Sequence, residues 1–166
     1  IRDTVLAFSP AYPVDVTNGM AVTVNIADTC NAFYSPAEQS INFFRAGGGC
    51  PNTGFSSVVY HEYGHHLVNR AGSGQGQYGE GAGDVMSVLL LDDPILRRGW
   101  SGSCSSGLRS ALNTMQYPCS TGSQECAPLL SSAVWDTRNA LAATNPSDYL
   151  EIITGLFINS ILLHTG

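Results

Sequence analysis

Three of the chain's four histidines fall within six residues, in the stretch VVYHEYGHHL from Val58 to Leu67. His61 and His65 are four positions apart, so on a helix their rings leave the same face one turn from each other. That spacing lets both imidazoles reach one zinc ion at roughly 2.0–2.1 Å. Glu62 follows the first histidine and points toward the same opening without having to bind the ion. It is free to hold a zinc-bound water and take its proton. This is the His-Glu-x-x-His pattern of zinc hydrolases, running from His61 to His65. His66 is read as structural, because a residue next to His65 points about 100° away.

A catalytic zinc takes three protein ligands and keeps one position open. The metzincin extension would need glycine at 68 and histidine at 71, where this chain has Val68 and Ala71. The nearby acidic candidates are Glu80 and Asp84, in GEGAGD, four apart and so on one helical face. The economical assignment gives Glu80 to the metal and Asp84 to the free N–H of a ligand histidine, where it fixes ring and tautomer. The reverse is the alternative. If both acids merely favour a helix N-terminus, the zinc is left with two ligands. A closed structural zinc site is disfavoured, since no cysteine lies near His61 or Glu80 in sequence.

With these motifs the chain resembles the gluzincins, the thermolysin-like zinc metalloendopeptidases. NAFY at Asn31–Tyr34 is similar to the strand that borders the thermolysin cleft, and SSAVWDTRNAL is similar to a Trp-Asp helix of the fungalysin-like branch. The resemblance covers about residues 20–93. It implies a zinc-dependent endopeptidase cleaving peptide bonds with a zinc-bound water activated by Glu62. Its metal ligands would be His61, His65 and Glu80, with Asp84 behind them. By the same resemblance, Asn31 and the Ala32 backbone would hold a substrate chain as an added strand. Such enzymes also use a tyrosine and a histidine on the oxyanion. Fifteen positions separate His65 from Glu80, fewer than in thermolysin, so those partners do not transfer directly. Tyr78, Gln124 and His164 are the main candidates, with Tyr117 and Tyr149 behind them. The rival expectation is a zinc-bearing binding or adhesion domain with little or no proteolysis.

The elements that must position these groups follow from pattern. MAVTVNIA (20–27) alternates like a strand with one buried face. NAFYS (31–35) and SINFF (40–44) read as a hairpin around PAEQ. Thr53 or Ser56 should cap the histidine helix, which should end near Arg70. AGSGQGQYGEGAG (71–83) reads as a tight glycine-rich connection bringing two helices face to face. GDVMSVLLLDD is the second helix, stopped by Pro94. SGLRSALNTM is expected as a short helix, and CAPLLSSAVWDTRNALAAT and SDYLEIITGLFINSILLH as two closing ones. Strands followed by helices make this α+β. The expected fold is zincin-like: a small N-terminal sheet with an edge strand, the active-site helix, the glutamate helix and C-terminal helices. Residues 1–166 read as one catalytic domain, mature or cut from a longer precursor.

Composition narrows the setting. Charged residues make up 12% of the chain, about half the usual share. All seven basic residues are arginine and the net charge is −6, with no basic patch, so a nucleic-acid partner is not expected. No apolar run is long enough for a membrane span. The expected partner is a peptide or protein substrate. Five cysteines favour an oxidising compartment and secretion, with Cys30–Cys50 as one bridge and two of Cys104, Cys119 and Cys126 as another. Asp92 and Asp93 before Pro94 are candidates for a Ca²⁺ site.

Overall fold

The histidine segment folds as α2 (Ser56–Arg70) and the glutamate segment as α3 (Gly76–Leu91), in a computed structural model that describes residues 1–15 and 17–164. Ahead of them come α1 (Arg2–Phe8), β1 (Ala21–Ile26), β2 (Ala32–Ser35) and β3 (Ser40–Phe44). After them come β4 (Ile95–Leu96), β5 (Arg109–Ser110), the single turn α4 (Ser123–Cys126), α5 (Pro128–Thr144) and α6 (Tyr149–Leu163). The architecture is α+β, as the order of patterns implies.

The first sheet has the order β1-β3-β2, with β2 antiparallel and β1 parallel to the central β3. β2 therefore has one unpaired edge. The Phe44 N–H donates to the Asn31 carbonyl at 3.2 Å. By the alternation of an antiparallel ladder, the backbone groups of Ala32 and Tyr34 then point away from β3. β1 is a strand, but neither face is buried: Val22 and Val24 are 57% and 56% exposed. It flanks the sheet rather than joining the core.

Helix α2 starts without a side-chain cap. Thr53, expected as a cap, instead turns its fully buried hydroxyl toward the sheet. Its Oγ1 donates to the Asn31 carbonyl at 2.9 Å and accepts from the Phe44 N–H at 2.9 Å. Thr53, in the loop leading into α2, thus ties that loop to the start of β2 and the end of β3. That fixes the sheet edge relative to the histidines.

The glycine tract departs from its reading as a connection. Only the segment before Gly76 links the helices, and Gly79, Gly81 and Gly83 lie inside α3. Their intrinsic cost in a helix is about 1 kcal/mol each relative to alanine, so packing must repay it. A Cβ on Gly64 would sit 2.6 Å from the Gly83 Cα, and one on Gly81 would meet Leu130 of α5 at 3.0 Å. The two helices touch backbone to backbone. Around that contact lies the core, with Val58, Leu67 and Val68 from α2, Val85, Met86 and Val88 from α3, and Ile158 and Ile161 from α6.

SGLRSALNTM is not a helix. Its backbone pairs instead with the chain leaving α3, through Leu108 N–H to the Leu96 carbonyl at 2.9 Å and Ala111 N–H to the Pro94 carbonyl at 2.8 Å. Local helix preference yields here to a tertiary ladder that also places Arg109. Helix α1, which the pattern reading does not anticipate, is held by Asn159 of α6, whose Nδ2 donates to the Phe8 carbonyl at 3.2 Å. Cys30–Cys50 and Cys119–Cys126 are disulfides, and Cys104 is free and exposed. No helix among the described residues is long and apolar enough to cross a membrane.

Candidate metal centre

His61 and His65 leave α2 toward α3, their ring centroids 4.9 Å apart. Glu80, one turn into α3, meets both: its Oε2 lies 3.5 Å from His61 Nε2 and its Oε1 3.6 Å from His65 Nε2. One donor atom from each of the three residues lies within 4.8 Å of the other two, so the group could hold a metal ion. Ligands about 2.0–2.1 Å from a tetrahedral ion stand roughly 3.3–3.4 Å from each other, close to the spacings found. Glu80 Oε2 is also buried with no hydrogen bond, its nearest partners being the His61 ring at 3.5 Å and Arg109 NH2 at 3.8 Å, which leaves it able to take a cation as ligand.

Both histidines are held from behind. Asp84 Oδ1 lies 2.9 Å from His61 Nδ1, which puts the Nδ1 proton on that bond and leaves Nε2 facing Glu80. Gln75 Oε1 lies 2.9 Å from His65 Nδ1, and Gln75 Nε2 donates to the His65 carbonyl at 3.1 Å. A carbonyl-type oxygen can only accept, so His65 carries its proton on Nδ1 and presents Nε2 as a lone pair. Arg109 in turn donates to Asp84 Oδ1 at 2.6 Å. The Asp84 carboxylate is fully buried and is shared between a guanidinium and an imidazole.

Burial alone would lower the proton affinity of His61, but Asp84 and Glu80 outweigh it and carry the ring up to about 9. Burial would likewise raise the Glu80 carboxyl, yet the His61 and His65 rings hold it far below the usual carboxylate range. Arg97 NH2 stands 3.3 Å from His61 Nε2. With the ring protonated, as Asp84 and Glu80 favour, Arg97 and His61 merely abut; the contact becomes a hydrogen bond only once Nε2 loses its proton, the form that binds metals. Desolvation, chiefly, lowers the Arg97 guanidinium, with Arg109 adding to it against the neighbouring carboxylates. His66 points elsewhere and bonds Tyr34 OH at 3.1 Å; burial first, and Arg70 second, lower its pKa to about 4.

A cleft of about 290 Å³ opens over the cluster, lined by β2 residues on one side and by His61, Glu62, His65 and Glu80 on the other. Glu62 is 3% exposed and faces this space. Asn31 and Ala32 line it, and so do Gln75, Arg97 and Gln124. Of the three main oxyanion candidates, the structure places only Gln124 at the cleft. Tyr78 and His164 pack against each other, ring centroids 3.8 Å apart, and line no part of it. A wider hollow of about 440 Å³ lies beside Tyr63 and His66, on a different face of α2, and contains none of the cluster. Asp92 is taken by Arg138 and Tyr149, and Asp93 by Arg98, so both carboxylates proposed for calcium are already paired.

The chain matches no protein-family model, no curated protein and no solved structure. Gln75, Arg97 and Arg109 are the site residues that motif reading misses. Gln75 sits in what reads as linker, and the two arginines lie in short segments whose place is set by β4 pairing with β5. Arginine content gives no signal for the two arginines, because the other five lie outside the site, Arg2 for one pairing only with its neighbour Asp3.

Proposed function

We propose that this chain is the catalytic domain of a secreted zinc-dependent endopeptidase with a zincin-like fold. The carrying observation is that His61, His65 and Glu80 converge on one point, inside a cleft that Glu62 faces and an unpaired strand edge borders. The donor set of two nitrogens and one carboxylate oxygen, with a free side, suits a catalytic rather than a structural zinc. When bound, zinc would supply Lewis-acid charge and make a nearby water acidic enough to react at neutral pH.

The protein's own groups do the rest. Asp84 and Gln75 hold the two rings in the tautomer that presents Nε2. The outward backbone of Ala32 and Tyr34 can pair with an extended peptide laid along β2, which brings a scissile bond over the cluster. Glu62 takes a proton from the attacking water and returns it to the leaving nitrogen. The two disulfides fit an oxidising, extracellular setting.

A second reading, a zinc-bearing binding domain, is favoured by one observation: Tyr78 and His164 pack against each other, tilted, and line no part of the cleft. Metal analysis together with casein cleavage separates the two. One zinc per chain in both wild type and Glu62→Gln, with cleavage lost only in the variant, is the expected result. Zinc in both with cleavage by neither counts against the peptidase and favours the binding domain instead.

A further inference from the structure

An arginine stands where the cleft needs an anion partner. Arg97 is 6% exposed, and its Nε is buried with no hydrogen-bond partner. Its backbone is left-handed, with φ of 53°, which costs a non-glycine residue about 1 kcal/mol. Its guanidinium lies over the Trp100 ring at 5.1 Å. It ends with NH2 3.3 Å from His61 Nε2, on the cleft wall. A buried cation with spare donors, supported by an aromatic ring and pointed at a metal-ligand atom, is expensive to maintain. Arg109 already serves Asp84, so Arg97 is not required for that carboxylate.

Charge balance says what it is for. Glu62, Glu80 and Asp84 bring three negative charges to the site, and Arg97 and Arg109 bring two positive ones. A divalent ion then leaves one positive charge uncompensated. Arg97 must release the His61 lone pair when a metal takes it, and its donors are then free for a ligand beside the metal.

We infer that Arg97 is the oxyanion donor of this cleft. The inference rests on the peptidase reading above. As the water oxygen bonds to the scissile carbonyl carbon, the carbonyl π pair moves onto its oxygen, and that oxyanion pairs with the Arg97 guanidinium. The water's proton goes to Glu62. On collapse the pair returns to the carbonyl, the C–N bond breaks, and Glu62 protonates the departing amine. Arg97 takes the part that neither Tyr78 nor His164 is placed to play and for which Gln124, exposed at the cleft rim and uncharged, offers no compensating charge.

The test uses zinc-loaded wild type, Arg97→Met and Arg97→Lys. Met keeps a straight side chain at the left-handed position, so the backbone is not newly strained. Zinc content is measured first, then calorimetric affinity for two blocked peptides of the same sequence. One carries a phosphinate at the scissile position, tetrahedral and anionic, and the other a neutral ketomethylene. Arg97→Met is expected to keep its zinc and its ketomethylene affinity, to lose about 100-fold in phosphinate affinity, and to recover part of that as lysine. Equal phosphinate binding by wild type and Arg97→Met, both with zinc, overturns the Arg97 assignment and leaves the peptidase reading standing. A loss of zinc in Arg97→Met with phosphinate affinity unchanged per loaded site makes Arg97 structural and also overturns it. A wild type that binds neither zinc nor phosphinate removes both readings together. An added peptide with a free C-terminal carboxylate checks for a different anion: an Arg97-dependent preference for it, without a phosphinate effect, would move Arg97 to substrate-terminus recognition and overturn the oxyanion role.

Discussion

Each ring nitrogen that faces Glu80 is controlled by a residue outside the His61–His65–Glu80 group. For His65 that residue is Gln75, which holds the ring by one amide oxygen and the ring's own backbone by the amide nitrogen. Gln75→Leu removes both bonds but preserves volume. Zinc affinity is expected to fall about 10–100-fold, read by competition against a chromogenic chelator, with the far-ultraviolet dichroism unchanged. His61 and His65 were legible in the sequence from their helical spacing, Glu62 from its place in the His-Glu-x-x-His pattern, and Glu80 as one of two acids sharing a face on the following helical segment. Gln75 was not, because nothing local distinguishes a glutamine among glycines until α3 folds back over α2. The same holds for Arg97, whose position depends on the chain turning sharply after Pro94.

Between elements, the decisive contact is made of backbone. A Cβ at position 83 would stand 2.7 Å from His61 Nδ1, the atom that bonds Asp84. Gly83→Ala must therefore push α3 away from α2 or rotate His61 off its partner. Helix propensity alone would make this substitution stabilising by about 1 kcal/mol. Overpacking should reverse the sign, to a net loss of about 1–3 kcal/mol, measured by urea denaturation, with zinc affinity falling alongside. The three strands, α2 and the two closing helices follow from periodicity to within a few residues, and SINFF (40–44) matches β3 throughout, whereas α3 begins well before GDVMSVLLLDD, at Gly76. The failures share a cause. SGLRSALNTM and the start of α3 are segments where long-range partners, Leu96 for one and α2 for the other, override what the local composition favours.

Across the whole molecule, α3, α5 and α6 are joined at one polar node distant in sequence from the histidines. Asp92, the left-handed residue that ends α3, accepts from Arg138 at 2.7 and 2.6 Å and from Tyr149 OH at 2.9 Å. Burial would raise the Asp92 carboxyl, but Arg138 and Tyr149 lower it below its ordinary value. A depressed carboxyl stabilises the fold above its unfolded pKa, about 3.9, and stops doing so as pH falls through the folded value. Asp92→Asn, which tolerates the left-handed backbone, is expected to cost about 1 kcal/mol at pH 7 after solvent screening. The gap in melting temperature between variant and wild type should close progressively below about pH 4. The Cys30–Cys50 bridge, legible from its placement around the hairpin, closes the same molecule at its other end.

The close approach of Gly64 to Gly83 also bears on which ions the cleft can accept. Side chains can swing to suit a larger guest, but two peptide planes in contact act as a fixed stop, like the closed jaws of a caliper. The span between the paired imidazoles and the opposing carboxylate is thus set by two absent methyl groups. A small, low-coordinate ion fits that span. A larger one wanting six or more oxygens would have to pry apart the backbone contact between Gly64 and Gly83.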